Sequence, residues 1–246
     1  MYISKYSASG NDFVIFHTFV KKDRSDLAKV LCNRFESVGA DGLIVLLPHS
    51  EYDFEWQFYN ADGSIAMMCG NGSRAAAHYA FENDISPSKM KFLTGAGVIG
   101  ASVEDNMVQS DLTPPVIHEK SIDAFSKDWW LIDTGVPHLI TFLDDINDFN
   151  LVEARELRER YNANVNIATI KDGRIYVRTY ERGVEDETQA CGTGMAAAFY
   201  RAVEENLCGQ SVEVIPSSGE TLYLGMSMHT ITFKGSVRKT FETIVD

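Results

Sequence analysis

Four cysteines among 246 residues are too few and too scattered for a disulfide framework, and no two have the C-x-x-C spacing of a zinc site or redox motif. Cys32, Cys69, Cys191 and Cys208 are therefore each read as free thiols. No run approaches the roughly 18 apolar residues that a membrane span needs. The first residues, Met1-Tyr2-Ile3-Ser4-Lys5, lack the basic-then-apolar pattern of a signal peptide. A soluble, cytoplasmic protein with no membrane partner is expected. Positive charge is also scarce: 22 Lys and Arg against 35 Asp and Glu give a formal charge of −13, a field that repels nucleic acid and anionic membrane surfaces alike. No segment has the G-x-x-x-x-G-K-[ST] or G-x-G-x-x-G pattern of a nucleotide cradle, and no lysine sits in the context of a pyridoxal Schiff base. Neither a metal nor an organic cofactor is expected.

Against these absences, 45% hydrophobic residues supply a real core. Alternating apolar positions in Phe54 to Phe58 and Ile175 to Thr179 predict half-buried strands, as do the β-branched and aromatic segments Phe13 to Phe16, Leu43 to Leu47 and Thr230 to Phe233. Helical spacing at Leu27, Val30, Leu31 and Phe35 follows a Ser25 cap, and at Leu151, Ala154, Leu157 and Tyr161 it follows Asn150. Cys32 falls on the first of these apolar faces and reads as packing; Cys208, before Gly209 at a helix end, reads as structural too. The segment Cys69-Gly70-Asn71-Gly72-Ser73-Arg74-Ala75-Ala76-Ala77 is echoed 122 positions later by Cys191-Gly192-Thr193-Gly194-Met195-Ala196-Ala197-Ala198. A diverged duplication explains that offset, almost half the chain, with a linker from Pro114-Pro115 to Ser126.

Two glycines around one polar residue permit positive φ and let a ligand approach the main chain, while the alanines that follow favour helix. Each cysteine is thereby expected at a helix N-terminus, where free amides and the positive end of the macrodipole lower a thiol's pKa below its usual ~8.5. The same amides suit a substrate carboxylate. One isolated copy reads more readily as a small buried hydrophobe in a tight turn. Two copies in matching context point instead to one thiol on each face of a bound molecule, the geometry that inversion at a carbon demands.

Gly10-Asn11-Asp12-Phe13, Tyr59-Asn60-Ala61-Asp62-Gly63-Ser64, Met68-Cys69-Gly70-Asn71-Gly72-Ser73-Arg74, Pro137-His138, Tyr180-Glu181-Arg182-Gly183 and Thr188-Gln189-Ala190-Cys191-Gly192-Thr193-Gly194 together resemble the ordered signature of the diaminopimelate epimerase family, across the whole chain. The resemblance implies that Cys69 and Cys191 exchange an α-proton, with His138 and Glu181 as their respective helpers. It implies substrate contacts at Asn11, Asn60, Gly70, Asn71, Asn164, Glu181, Arg182, Gly192 and Thr193; Asn162 and Asn166 flank the choice of Asn164. Arg74 is left outside the site, as an anion-binding or solvated residue. His17, His49, His78, His118 and His229 show no motif spacing. Gly42 and Val136 stand where the family often has Gln and Asn, which removes two polar groups available to the substrate.

The implied fold is α/β, with two pseudo-symmetric domains, 1–117 and 118–236, each a curved, mostly antiparallel sheet wrapped around a central helix, and a strand at 237–246 returning to the first. The implied reaction is cofactor-independent epimerisation of LL-diaminopimelate to the meso form by a homodimer, in lysine and peptidoglycan precursor synthesis. Rival readings are a same-fold racemase for another amino acid, a thiol redox protein pairing Cys69 with Cys191, and a binding protein that retains the cleft.

Overall fold

The computed structural model describes residues 1–227 and 230–245; His229 and Asp246, the last residue of the expected returning strand, lie outside the described residues. Two compact units emerge: Met1–Asp111 with Gly235–Asp246, and Leu112–Lys234.

The first unit runs β1 (Tyr2–Ala8), β2 (Asn11–His17), α1 (Ser25–Cys32), β3 (Gly42–Leu47), β4 (Phe54–Asn60), α2 (Gly70–Glu82), β5 (Lys89–Thr94), β6 (Gly97–Glu104) and β7 (Met107–Asp111). Neighbours pair in sequence order. The β2–β3 and β4–β5 pairs are parallel, each bridged by a helix, and the others are antiparallel. α2 is the centre: Gly70 through Ala80 are all buried, against β1, β2, β3, β6 and β7. A helix touched by both ends of a sheet requires the sheet to curl around it. Ala75, Ala76, Ala77 and Ala80 keep the helix slim enough for Phe13, Ile15, Ile44, Phe54 and Phe92 to close over it, each large side chain contributing about 1.5–3 kcal/mol by leaving water.

On the opposite face of the sheet, α1 buries Ala28, Leu31 and Cys32 against Val14, Leu43 and Val45. Two expectations are corrected here. Ser25 is the first helical residue and not the cap: its amide and hydroxyl both donate to Asp23, while the cap position, Arg24, makes no side-chain cap bond. Phe35 is 98% exposed, because the helix ends at Cys32 and the Asn33 side chain accepts from the amides of Phe35 and Glu36, turning the chain before the next helical position is reached. Cys32 is buried, and desolvation pushes its thiol up to about 11.

The second unit runs β8 (Val116–Ala124), β9 (Lys127–Asp133), β10 (Pro137–Phe142), α3 (Leu151–Tyr161), β11 (Asn164–Lys171), β12 (Arg174–Glu181), β13 (Asp186–Thr188), α4 (Gly192–Glu204), β14 (Ser211–Pro216), β15 (Leu222–Ser227) and β16 (Thr230–Ser236). Asn150 caps α3, its side chain accepting from Val152 and Glu153, and Ala154 and Leu157 face the core. The β10–β11 and β12–β14 pairs are parallel; β8–β9, β9–β10, β11–β12, β14–β15 and β15–β16 are antiparallel. α4 lies against β9, β10, β11, β12 and β14. The stretch expected as a linker, Pro114 to Ser126, instead contains β8. Register shifts between Ile117 and Glu119 and between Glu119 and Ile122 break its period of two, which hides the strand from pattern reading.

The last strand, β17 (Arg238–Ile244), pairs antiparallel with β1 in the first unit. With it, both units share one sequence of pairings, antiparallel, antiparallel, parallel, antiparallel, parallel, antiparallel, antiparallel, read from β17 through β1 to β7 and from β8 through β9 to β16, with β13 an added edge. β8 and β17 begin 122 positions apart, the same offset as the cysteines. The duplication therefore runs from β1 to β8 and from β9 to β17, and each copy's final strand completes the sheet of the other unit.

Candidate active site

In the first unit Cys69 is the N-cap of α2, and its half-buried Sγ accepts from the Gly72 amide at 3.4 Å. Gly70, at the first helical position, and Asn71 follow it. Asn71 is buried and turned toward β2: its Nδ2 donates to Asn11 Oδ1 at 2.8 Å and to the Ser9 carbonyl at 3.3 Å, and its Oδ1 accepts from Arg74 at 2.6 Å. Arg74 is fully buried, which corrects the solvated reading; its guanidinium also donates to Ser9 Oγ at 2.8 Å, so it is a clamp on Asn71. Asn11 in turn donates to Asp41, within a cluster in which Arg34 reaches both Asp12 and Asp41. Asn60 stands apart, exposed and bonded to Ser64. Its strand partner is Gly42, where a side chain would meet the Phe58 ring at 2.6 Å and the Tyr59 carbonyl at 2.8 Å, so this packing admits only glycine.

In the second unit Cys191 is the N-cap of α4 and is buried. Gly192 and Thr193 open the helix, with Thr193 Oγ1 lying 3.5 Å from Cys191 Sγ and 2.9 Å from His138 Nε2. β10 carries His138, and its side-chain surroundings come from β11: Asn166 Nδ2 is 3.0 Å from Nδ1, and Asn164 Nδ2 is 3.4 Å from Nε2. Asn164 Oδ1 accepts from the Arg182 amide at 2.8 Å, and the Arg182 guanidinium donates to the Asn162 carbonyl. Glu181 accepts from Thr188 at 2.9 Å. Val136, just before β10, gives its carbonyl to the Thr134 amide.

The second unit thus gathers Cys191, Thr193, His138, Asn164 and Arg182 into one bonded set, with Glu181 beside Arg182 in the chain. The resemblance assigned His138 to Cys69; its hydrogen-bonded route within this unit runs through Thr193 toward Cys191. Burial drives the basicity of His138 down to about 3, and the Arg182 charge acts in the same direction, so the imidazole is neutral. Burial raises the Glu181 carboxyl above its ordinary value, opposed by the Thr188 hydrogen bond. Asn166, fully buried, is the His138 neighbour that pattern reading does not select; its signal is an amide inside an otherwise apolar run of a buried strand.

The glycines of both cysteine segments are helical and do not use the positive φ open to them. At Gly194 the requirement is close approach: a Cβ there would stand 2.3 Å from Asn166 Oδ1 and 3.1 Å from Thr179 Oγ1.

The family model of diaminopimelate epimerase matches residues 3–118 and 130–229. This chain belongs to the diaminopimelate epimerase family. A diaminopimelate epimerase from a Nitratiruptor species is 64% identical over 244 residues, covering 99% of this chain and 98% of the relative. One from Campylobacter lari is 52% identical over 239 residues, covering 97% and 96%. Among solved structures, a probable proline racemase from Agrobacterium radiobacter K84 superposes with a TM-score of 0.76 at 16% identity, covering 100% of this chain and 92% of the other, a likeness of fold. The α/β class and the wrapped-sheet architecture read from the sequence agree with that likeness. Cys69 and Cys191, which open the two echoed segments of this chain, are the N-caps of α2 and α4.

Proposed function

We propose that this chain epimerises LL-2,6-diaminopimelate to the meso form without a cofactor, Cys69 and Cys191 serving as one thiolate and one thiol that exchange roles with the direction of reaction. The observation that carries this reading is the placement of both cysteines as N-caps of the central helices of two units with the same topology. The α-hydrogen of an amino acid is a very weak acid, because the carbanion forms beside a carboxylate. Amides at a helix N-terminus favour the negative charge that spreads onto the carboxylate oxygens in the transition state, an effect of several kcal/mol in a preorganised site. One thiol removes the proton from one face and the other returns one to the opposite face.

In this reading Asn11, Asn60, Gly70, Asn71, Asn164, Glu181, Arg182, Gly192 and Thr193 hold the substrate. The Arg182 fork suits a carboxylate, and Glu181 suits an ammonium group or a proton. His138 and Glu181 support the two thiols. The protein acts as a cytoplasmic homodimer, supplying precursor for lysine and peptidoglycan, with a small amino acid as its partner.

The test is incubation of the reduced protein with LL-diaminopimelate in D₂O, followed by NMR and chiral chromatography. Deuterium at the α-carbon with meso product is the expected result. No exchange by folded protein with both thiols reduced overturns the reading.

A further inference from the structure

Asn166 has an orientation that its surroundings dictate. Its Oδ1 accepts from the Thr179 hydroxyl at 2.8 Å, and its Nδ2 donates to the Leu139 carbonyl at 3.1 Å. A carbonyl cannot donate, so the atom facing it is the NH₂ group, and the same NH₂ group points at His138 Nδ1, 3.0 Å away. Nδ1 must then be the bare, accepting nitrogen. A neutral imidazole with a bare Nδ1 carries its proton on Nε2, 2.9 Å from Thr193 Oγ1. The Thr193 hydroxyl, occupied as acceptor by that N–H, keeps its own hydrogen for another partner, and Cys191 Sγ lies 3.5 Å away. In the opposite tautomer the hydroxyl hydrogen would go to Nε2, and the sulfur would lose it. Asn164 presents Nδ2 to the same Nε2 at the longer distance of 3.4 Å, an approach of two N–H groups, with its Oδ1 committed to the Arg182 amide.

The first unit is wired differently. β2 and β10 hold the same place in the two topologies, yet the residue that meets Asn71 is Asn11, and Cys69 Sγ takes a hydrogen bond from a backbone amide. A main-chain N–H has no tautomer to control. Beside the second thiol, the Thr193 hydroxyl is coupled to the proton position of a neighbouring ring.

We propose that Asn166 is a positioning residue that fixes His138 as the neutral Nε2–H tautomer, leaving the Thr193 hydroxyl free to donate to the Cys191 sulfur. The assignment rests on the epimerase reading only in giving that sulfur a reaction to perform. The groups around the ring are Asn166 and Asn164 from β11, Arg182 from the end of β12, and Thr193 with Cys191 from α4. Arg182 is the charged member, and its positive charge disfavours the imidazolium. Gly194 belongs to the same device, since a side chain there would drive Asn166 Oδ1 off its position.

Long-range ¹H–¹⁵N correlation at pH 7, with the His138 signals assigned by their loss in His138→Gln, reads the tautomer directly. The expected spectrum has a bare Nδ1 and a protonated Nε2; a proton on Nδ1 overturns the proposal. Asn166→Asp presents an acceptor in place of the donor and is expected to bring a proton to Nδ1, whereas an unchanged ring spectrum in the folded variant overturns it. The sulfur end is read by iodoacetamide alkylation of Cys191 in a Cys69→Ser background. Thr193→Val is expected to slow alkylation about tenfold, the loss of one hydrogen bond to a charged group, and Thr193→Ser to restore it. Equal rates in all three overturn it. If Asn166→Asp does not fold, the wild-type spectrum and the Thr193 pair still decide. None of these readouts requires turnover, so inactivity toward diaminopimelate alongside the expected spectra would remove the substrate assignment and leave the positioning role standing.

Discussion

Asn166 Oδ1 occupies space that a Cβ on Gly194 would need, at a separation of 2.3 Å. The corresponding position in the first helix is looser: a Cβ on Gly72 would meet Cys69 Cβ and Ile44 at 3.4 Å and Phe13 at 3.6 Å, which is ordinary contact. Gly194→Ala is therefore expected to lose about 1–3 kcal/mol of stability through overpacking and to lose activity with it. Gly72→Ala is expected to stay within about 1 kcal/mol of the parent, helix propensity offsetting the added crowding. Denaturant melts of the two variants check the order; a Gly72 variant weaker than the Gly194 variant contradicts it.

Cys69→Ser and Cys191→Ser should each reduce epimerisation in both directions, because either direction needs one base and one acid. Loss of a positioned proton-transfer group reduces the rate about 10²–10⁴-fold. Initial rates from LL- and from meso-diaminopimelate give the comparison, and a variant that keeps one direction at full rate would refute the shared-pair mechanism.

Arg74→Lys keeps the charge and loses the planar fork that reaches Asn71 and Ser9 through one nitrogen. Asn71 then keeps the bonds of its Nδ2 to Asn11 and the Ser9 carbonyl but loses the planar donor at its Oδ1. The expected outcome is a several-fold rise in KM with a smaller change in kcat, measured by steady-state kinetics. An unchanged KM would detach Arg74 from substrate binding.

Acid sensitivity should centre on Asp12. Burial works against its ionised form, but Arg34 and Lys5 outweigh that and hold the carboxyl at about 2, below its ordinary 3.8. The folded state therefore binds fewer protons than the unfolded one in this range. Its contribution, about 2 kcal/mol, is fully present above about pH 4 and fades as the pH falls toward 2. Asp12→Asn should be less stable at pH 7 and show a flatter stability curve between pH 4 and 2. Parallel curves for the two proteins would deny the coupling.

The cysteine segments were legible because two local rules coincide there: a small capping side chain before glycine, and alanines that propagate helix. Asn150 was legible for the same reason, its cap being a matter of four consecutive residues. Phe35 was misplaced because helical spacing continued on paper past Asn33, whose side chain stops the helix. β8 was hidden by its bulges. Asn166 and Arg74 were passed over because their meaning lies in partners distant in the chain, Leu139 and Thr179 for one, Ser9 for the other. Burial of a polar residue cannot be read from its neighbours alone; an amide set among valine, isoleucine and alanine looks the same whether it faces water or a histidine.

The exchange of outer strands gives the chain an order of assembly. The second unit is contiguous from β8 to β16 and has all its strands once that stretch has left the ribosome. The first has seven of its strands long before, yet β1 keeps an open edge until β17, the final strand, arrives to pair Tyr2 with Ile244. Closing a loop of that length is slow compared with local pairing. During synthesis the earlier-made half is therefore the later to finish, and β1 remains an unpaired strand edge open to wrong partners throughout that interval.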